Sequence, residues 1–275
     1  MLAAILFGVI GTPLVFLASL AVARRLPERP VPARLLTARE QLLDNVGPIG
    51  AFVMLYGAGI YAITAVGLLL GEFLQRIEDP VDWPTFRYVE DVQDTGWASV
   101  MNTVGQMGNI DETRVVAVVS IVVLTAVALL RRERPWVPAA LISCTVLTQK
   151  FGQAALAKIV DRGHPPTTLG TYPSGGCARI LAIYGTIMFL VLAYARAGRL
   201  LRSAGWALIV TLAFAEGYTR MYLNKHWLTD VWGGWAVGGM MLVVTVFAAR
   251  ALLDRPDGRA RTPDGNAAGR TPEVV

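Results

Sequence analysis

The chain has 275 residues, of which 54% are apolar and only 16% charged. Soluble domains carry charge on about a quarter of their residues, so an ordinary soluble globule is excluded and a lipid-facing surface is implied. The net charge of +5 is split into short basic clusters between apolar runs, a pattern of membrane orientation and not of a nucleic-acid groove.

A membrane-spanning helix needs about 20 mostly apolar residues to cross about 30 Å of hydrocarbon. Stretches at 2–23, 48–71, 114–131, 136–158, 177–197, 204–223 and 228–249 meet or approach that requirement. The expected fold is therefore all-α, a polytopic transmembrane helix bundle of about seven spans. The first stretch has no basic residue before Arg24 and lacks the charged start of a signal peptide, so it reads as a retained span. With the basic connection behind it, it makes up residues 1–47. Residues 48–250 form the membrane helical domain.

The connection 72–113 is too long for a bare loop. It is acidic, with turns marked by Pro80 and Pro84, and Trp97, Met101, Val104 and Met107 recur at helical spacing. It reads as an outer-face cap. It either packs on the helix ends or gates access, and its apolar stripe could lie along the membrane surface. The fourth span contains Lys150, a costly charge at that depth, for which Glu216 on the sixth span is a candidate partner. Cys144 and Cys177 lie in or beside apolar segments and make neither a disulfide framework nor a metal-ligand spacing. Residues 251–275 end in an Arg-, Pro-, Gly- and Asp-rich tail that reads as disordered and cytoplasmic.

Counting Arg and Lys orients the bundle. Arg24, Arg25, Arg29, Arg34 and Arg39 fall in the first connection, Arg131, Arg132 and Arg134 in the third, and Arg196, Arg199 and Arg202 in the fifth. Arg250, Arg255, Arg259 and Arg261 open the tail. Seven alternating spans put all of these on the cytoplasmic side of a cell membrane, with the N-terminus outside.

The chemistry-bearing residues then gather on the outer side. Both histidines, His164 and His226, are there, with Lys158, Asp161, Arg162, Ser174, Arg179, Arg220, Lys225 and Asp230 around them. Ionisable groups near spans are functional candidates. His226 and Asp230 are four apart and share a helix face, so the carboxylate can hold one imidazole nitrogen and leave the other free to attack. Arg220 offers a planar fork of donors to phosphate. Pro173-Ser174-Gly175-Gly176 precedes a span, where backbone N–H groups can bind an anion. It is equally ordinary turn chemistry. Lys158, at a helix end, is a phosphate ligand or a snorkelling lysine.

Three stretches carry a resemblance to the type 2 phosphatidic acid phosphatase superfamily, the membrane lipid phosphate phosphatases. Thr219-Arg220, five residues, His226, three residues and Asp230 match the family's third motif, with threonine for serine. Pro173-Ser174-Gly175-Gly176 matches the second motif except that glycine replaces its histidine. Counting from Lys158, the first motif's Arg-Pro falls on Pro165-Pro166 and is degenerate, while a one-residue shortening would put His164 in the arginine's place. The resemblance covers about residues 100–250.

It implies a six-helix phosphatase-like core and no metal or other cofactor. His226 would be the nucleophile, forming a phosphohistidine, and Asp230 its orienting carboxylate. Lys158, Arg162, Ser174, Gly175, Gly176, Arg179 and Arg220 would hold the phosphate of a lipid partner. Gly176 cannot protonate the leaving alkoxide as the family's histidine does, a task worth about 10²–10⁴ in rate. Three readings follow. His164 supplies the proton. Or the leaving group needs none, as with a polyprenyl diphosphate or in a phosphotransferase, where Arg179 could neutralise its charge. Or the protein binds a lipid phosphate without turnover.

Overall fold

The computed structural model describes residues 2–25, 31–168 and 170–253. Arg29, the basic tail residues Arg255, Arg259 and Arg261, and the expected disorder from Asp254 onward lie outside them. The described residues form helices α1 (Leu2–Arg25), α2 (Ala33–Arg76), α3 (Trp83–Val92), α4 (Thr95–Val104), α5 (Ile110–Leu130), α6 (Trp136–Val160), α7 (Gly175–Arg179), α8 (Gly185–Tyr194), α9 (Arg199–Tyr222) and α10 (Leu228–Leu253). A π turn, Ile180–Tyr184, joins α7 to α8, making one continuous span from Gly175 to Tyr194.

Six helices are long and apolar enough to cross a membrane: α1, α2, α5, the α7–α8 span, α9 and α10. The seventh expected span, α6, runs for 25 residues, about 37 Å at 1.5 Å per residue. Gln149, Lys150, Gln153 and Lys158 in its second half make it too polar to count among the six. Observed bounds lie within a few residues of expectation, with two differences. The basic connection after α1 is largely helical, because α2 begins at Ala33 and is interrupted at Gly47, whose φ of 70° is left-handed, just before Pro48. That is a conformation glycine adopts without steric cost. And α10 continues through Ala251–Leu253, residues expected in the tail.

Helix α10 is the hub, touching α2, α6, α7, α8 and α9, while α1 lies along α9. One end of the bundle is packed by Phe52, Leu141, Ile142, Ile183, Leu190, Ala248 and Leu252. Toward the other end, α10 presents glycines. A Cβ on Gly234 would sit 2.6 Å from the Ser174 carbonyl oxygen, and one on Gly238 would sit 2.7 Å from Ala178 Cα. Small residues let membrane helices approach to backbone contact, and here they seat the start of α7 directly on α10.

The 72–113 connection folds as a π turn (Glu78–Asp82), α3, α4 and a 3₁₀ turn (Gly105–Gly108). Asp94 caps α4 by accepting from Trp97 N at 2.8 Å, the usual side-chain service to an orphan helix N–H. Its apolar stripe packs on other helices. Met101 is buried, and Trp97 and Val104 join it against Tyr218 and Tyr222 of α9 and Ala4 of α1.

Gly238→Val is expected to push α7 from α10 and cost about 1–3 kcal/mol, as overpacking does. Gly152→Ala, with open space at its Cβ, should be silent. Thermal unfolding of the detergent-solubilised protein compares them.

Candidate active site

The α9–α10 turn is built by Asn224, whose φ of 51° is left-handed, a region asparagine tolerates better than most residues. Its N–H donates to the Met221 carbonyl and that of Lys225 to the Arg220 carbonyl, both at 2.9 Å. The reversal sets His226 just before α10 and Asp230 in its first turn. His226 Nδ1 lies 3.6 Å from Asp230 Oδ2, beyond hydrogen-bond length, and has no partner although it is buried. Catalytic hydrogen bonds are often long in empty sites and shorten when substrate arrives. With Nδ1 facing the carboxylate, Nε2 is the nitrogen left for attack.

Ser174 begins α7 beside this pair, its N–H donating to the Asp230 carbonyl at 3.0 Å. Its side chain is wholly buried, and its Oγ has no partner. Gly175 and Gly176 follow, both buried. A Cβ on Gly176 would be 3.0 Å from Arg220 Nε, so the second and third motifs meet side by side. Arg220 is held in place along its Nε–Nη2 edge. Nε donates to Glu216 Oε1 at 2.6 Å, and Nη2 donates to the Gly105 carbonyl at 2.8 Å and to Asn109 Oδ1 at 2.9 Å.

Arg162 departs from expectation. Its side chain is wholly buried and surrounded by acids. Nε donates to Glu78 at 3.0 Å, Nη1 to Asp230 Oδ1 at 3.1 Å and to Thr229 Oγ1 at 2.5 Å, and Nη2 to Asp82. Its donors are committed to carboxylates. These contacts hold the Asp230 carboxylate in place.

The other expected residues are scattered more widely. Lys158 is exposed at the last turn of α6, and among the described residues no polar contact ties it to the cluster. His164 is also exposed, with Nδ1 at 2.9 Å from the Pro165 oxygen. Arg179 is partly buried and donates from Nε to the Gly108 carbonyl at 2.7 Å. Lys150 does not reach Glu216, which Arg220 has taken. It is exposed, with Nζ 5.4 Å from the centre of the Phe151 ring. Lys225 donates to Asn102 at 2.8 Å, and burial, reinforced by the charge of Arg220, lowers its pKa.

A model of the PAP2 superfamily matches residues 113–252, more than half of the chain. The chain belongs to the PAP2 superfamily. Its backbone is also similar to the crystal structure described as the first transmembrane PAP2 type phosphatidylglycerolphosphate phosphatase from Bacillus subtilis. The TM-score is 0.57 at 17% identity, over 68% of this chain and 93% of that one. No curated protein matches the chain.

For this PAP2 superfamily member, sequence reasoning missed Asp82, Gly105, Gly108 and Asn109. All four come from the cap, and no motif spacing links them to partners 71 to 147 positions away. Asp82 accepts from both Thr229 N (2.9 Å) and Thr229 Oγ1 (2.6 Å) as well as from Arg162. The sequence offers Glu216 only as a partner for Lys150. Among the described residues, no three His, Cys, Asp or Glu side chains gather as a metal site.

Removing one member of a buried charge network leaves the others uncompensated, at about 3–5 kcal/mol. Arg162→Ala strands Asp82 and Asp230, both wholly buried, and is expected to lower stability by that amount. A calorimetric scan in detergent, with Arg114→Ala as a surface control, measures it.

Proposed function

We propose that this PAP2 superfamily protein is a membrane lipid phosphate or polyprenyl diphosphate phosphatase that works through a phosphohistidine. The observation that carries the reading is the junction of the two motifs. His226 faces Asp230, Ser174 is bonded to Asp230 through the backbone, and Gly176 abuts Arg220. At this junction Ser174 Oγ is buried without a partner. Buried polar groups are nearly always satisfied, so an orphan hydroxyl next to the His226–Asp230 pair fits a site shaped for an anion.

In this mechanism Nε2 of His226 attacks phosphorus. Asp230, held by Arg162 and the Trp227 N–H at 3.2 Å, stabilises the charge that builds on the ring. Arg220, Ser174 and the Gly175 N–H hold the equatorial oxygens, where charge spreads in the loose transition state. Water then releases the phosphate. Arg24, Arg25, Arg34, Arg39, Arg131, Arg132, Arg134, Arg196, Arg199, Arg202 and Arg250 belong to the opposite ends of the spans, which supports an extracytoplasmic site in the cell membrane by the positive-inside rule.

The purified protein is expected to release inorganic phosphate from a lipid phosphate in mixed micelles. His226→Ala should fall to background, and Ser174→Ala should lose about 10- to 100-fold in kcat/KM, the worth of a hydrogen bond to a charged group. Equal rates for wild type and His226→Ala would end the reading. For orientation, a membrane-impermeant maleimide is expected to label Asp79→Cys, but not Arg131→Cys, on intact cells in a Cys144→Ser background.

A further inference from the structure

The second motif lacks its proton donor, and the structure accounts for the glycine that stands there. A Cβ built on Gly176 would lie 2.3 Å from Glu216 Oε1, and one built on Gly108 would lie 2.1 Å from the same oxygen. The carboxylate of Glu216 is therefore seated between two glycines, in the volume that a side chain at position 176 would need. Glu216 is wholly buried. Its Oε1 accepts from Arg220 Nε at 2.6 Å, while Oε2 has no hydrogen-bond partner. Glu216 and Arg220 are four apart on α9 and share a face. The carboxyl thus touches the same guanidinium that faces the phosphate subsite. His164, the other candidate donor, is an exposed loop residue engaged with the Pro165 oxygen.

We propose that Glu216 is the general acid of this protein, taking from α9 the role that the missing histidine would have taken from α7. The assignment rests on the phosphatase reading above and extends its substrates to lipid phosphate monoesters, whose alkoxide needs a proton to depart. In the first half-reaction the N–P bond to His226 Nε2 forms as the P–O bond to the lipid breaks. The electron pair goes to the lipid oxygen, which takes the proton carried on Glu216 Oε2. The carboxylate left behind is paired with Arg220. In the second half-reaction that carboxylate takes a proton from water as the water oxygen bonds to phosphorus, and the P–N electron pair returns to Nε2. Atoms and charge balance without any further reactant, and Glu216 ends as it began.

Two substrates with unlike leaving groups test it: dodecyl phosphate, which expels an alkoxide, and p-nitrophenyl phosphate, which expels a stabilised phenolate. Glu216→Gln keeps an oxygen for Arg220 but has no acidic proton. It is expected to lose about 10²–10⁴-fold on dodecyl phosphate, the usual worth of general acid help. On nitrophenyl phosphate it should lose less than about tenfold in kcat/KM, which reports the first half-reaction alone and is the quantity compared for both substrates, since that departure needs little protonation. Losses of equal size on both would show that Glu216 only holds Arg220, and would overturn the assignment while leaving the phosphatase reading intact. No phosphate release from either substrate by the wild type would overturn the reading and the assignment together. A second arm does not depend on the glutamine variant. Gly176→His alone should be inactive, because its Cβ collides with Glu216. Gly176→His with Glu216→Ala should recover dodecyl phosphate turnover at least about tenfold over Glu216→Ala alone. Failure of a folded double variant to recover overturns the assignment.

Discussion

The buried guanidinium of Arg162 is the interaction on which the site depends. It draws Glu78 and Asp82 from the cap, Asp230 and Thr229 from α10, and the 161–174 connection to one point. Taking charges out of water is expensive, and only close opposite charges with satisfied hydrogen bonds repay it. The arrangement therefore has little tolerance for displacement, and Asp230 inherits that rigidity. Thr167 and Thr168, donating to the Asn224 and Lys225 carbonyls at 2.8 and 2.9 Å, stitch the same connection to the turn that carries His226. A nucleophile fixed by such a frame needs little reorganisation at the moment of reaction, which is the electrostatic advantage of a preorganised site.

The second constraint is closeness. Gly234 and Gly238 let α7 lie against α10, Gly108 and Gly176 let the cap and α7 close on Glu216 and Arg220, and Gly105 lets the cap close on Thr219. The cap is thus part of the site's wall. It supplies acceptors to Arg220 from Gly105 and Asn109, to Arg179 from Gly108, and to Tyr184 from Met107 at 2.6 Å. Polar groups at membrane depth must find partners within the protein, and the cap's backbone carbonyls provide them for side chains that span residues alone would leave bare.

Much of this was legible in the residues themselves. The spans follow from apolar run length, and the closeness of His226 and Asp230 follows from a separation of four, although the turn before α10 and not a shared helix face brings them together. By type and place Arg162 suits a phosphate ligand. Its burial among acids distant in sequence is visible only in three dimensions. The stripe from Trp97 to Val104 was correctly periodic, but periodicity does not say whether lipid or another helix covers an apolar face. Lys150 faces outward because Glu216 had a nearer cation, one helical turn away on its own helix.

By itself the sequence determined what hydrophobicity and short-range spacing can encode: an all-helical membrane bundle, its superfamily resemblance, and the third-motif pair. Each depends on neighbours within a turn or a span, where chain geometry alone dictates contact. Tertiary structure decided which distant charges meet. It committed Arg162 to carboxylates, brought the cap's acceptors to Arg220, and filled the space beside Gly176 with Glu216. Those pairings are set by helix packing and by the cost of leaving a buried charge alone, and neither is written in local spacing.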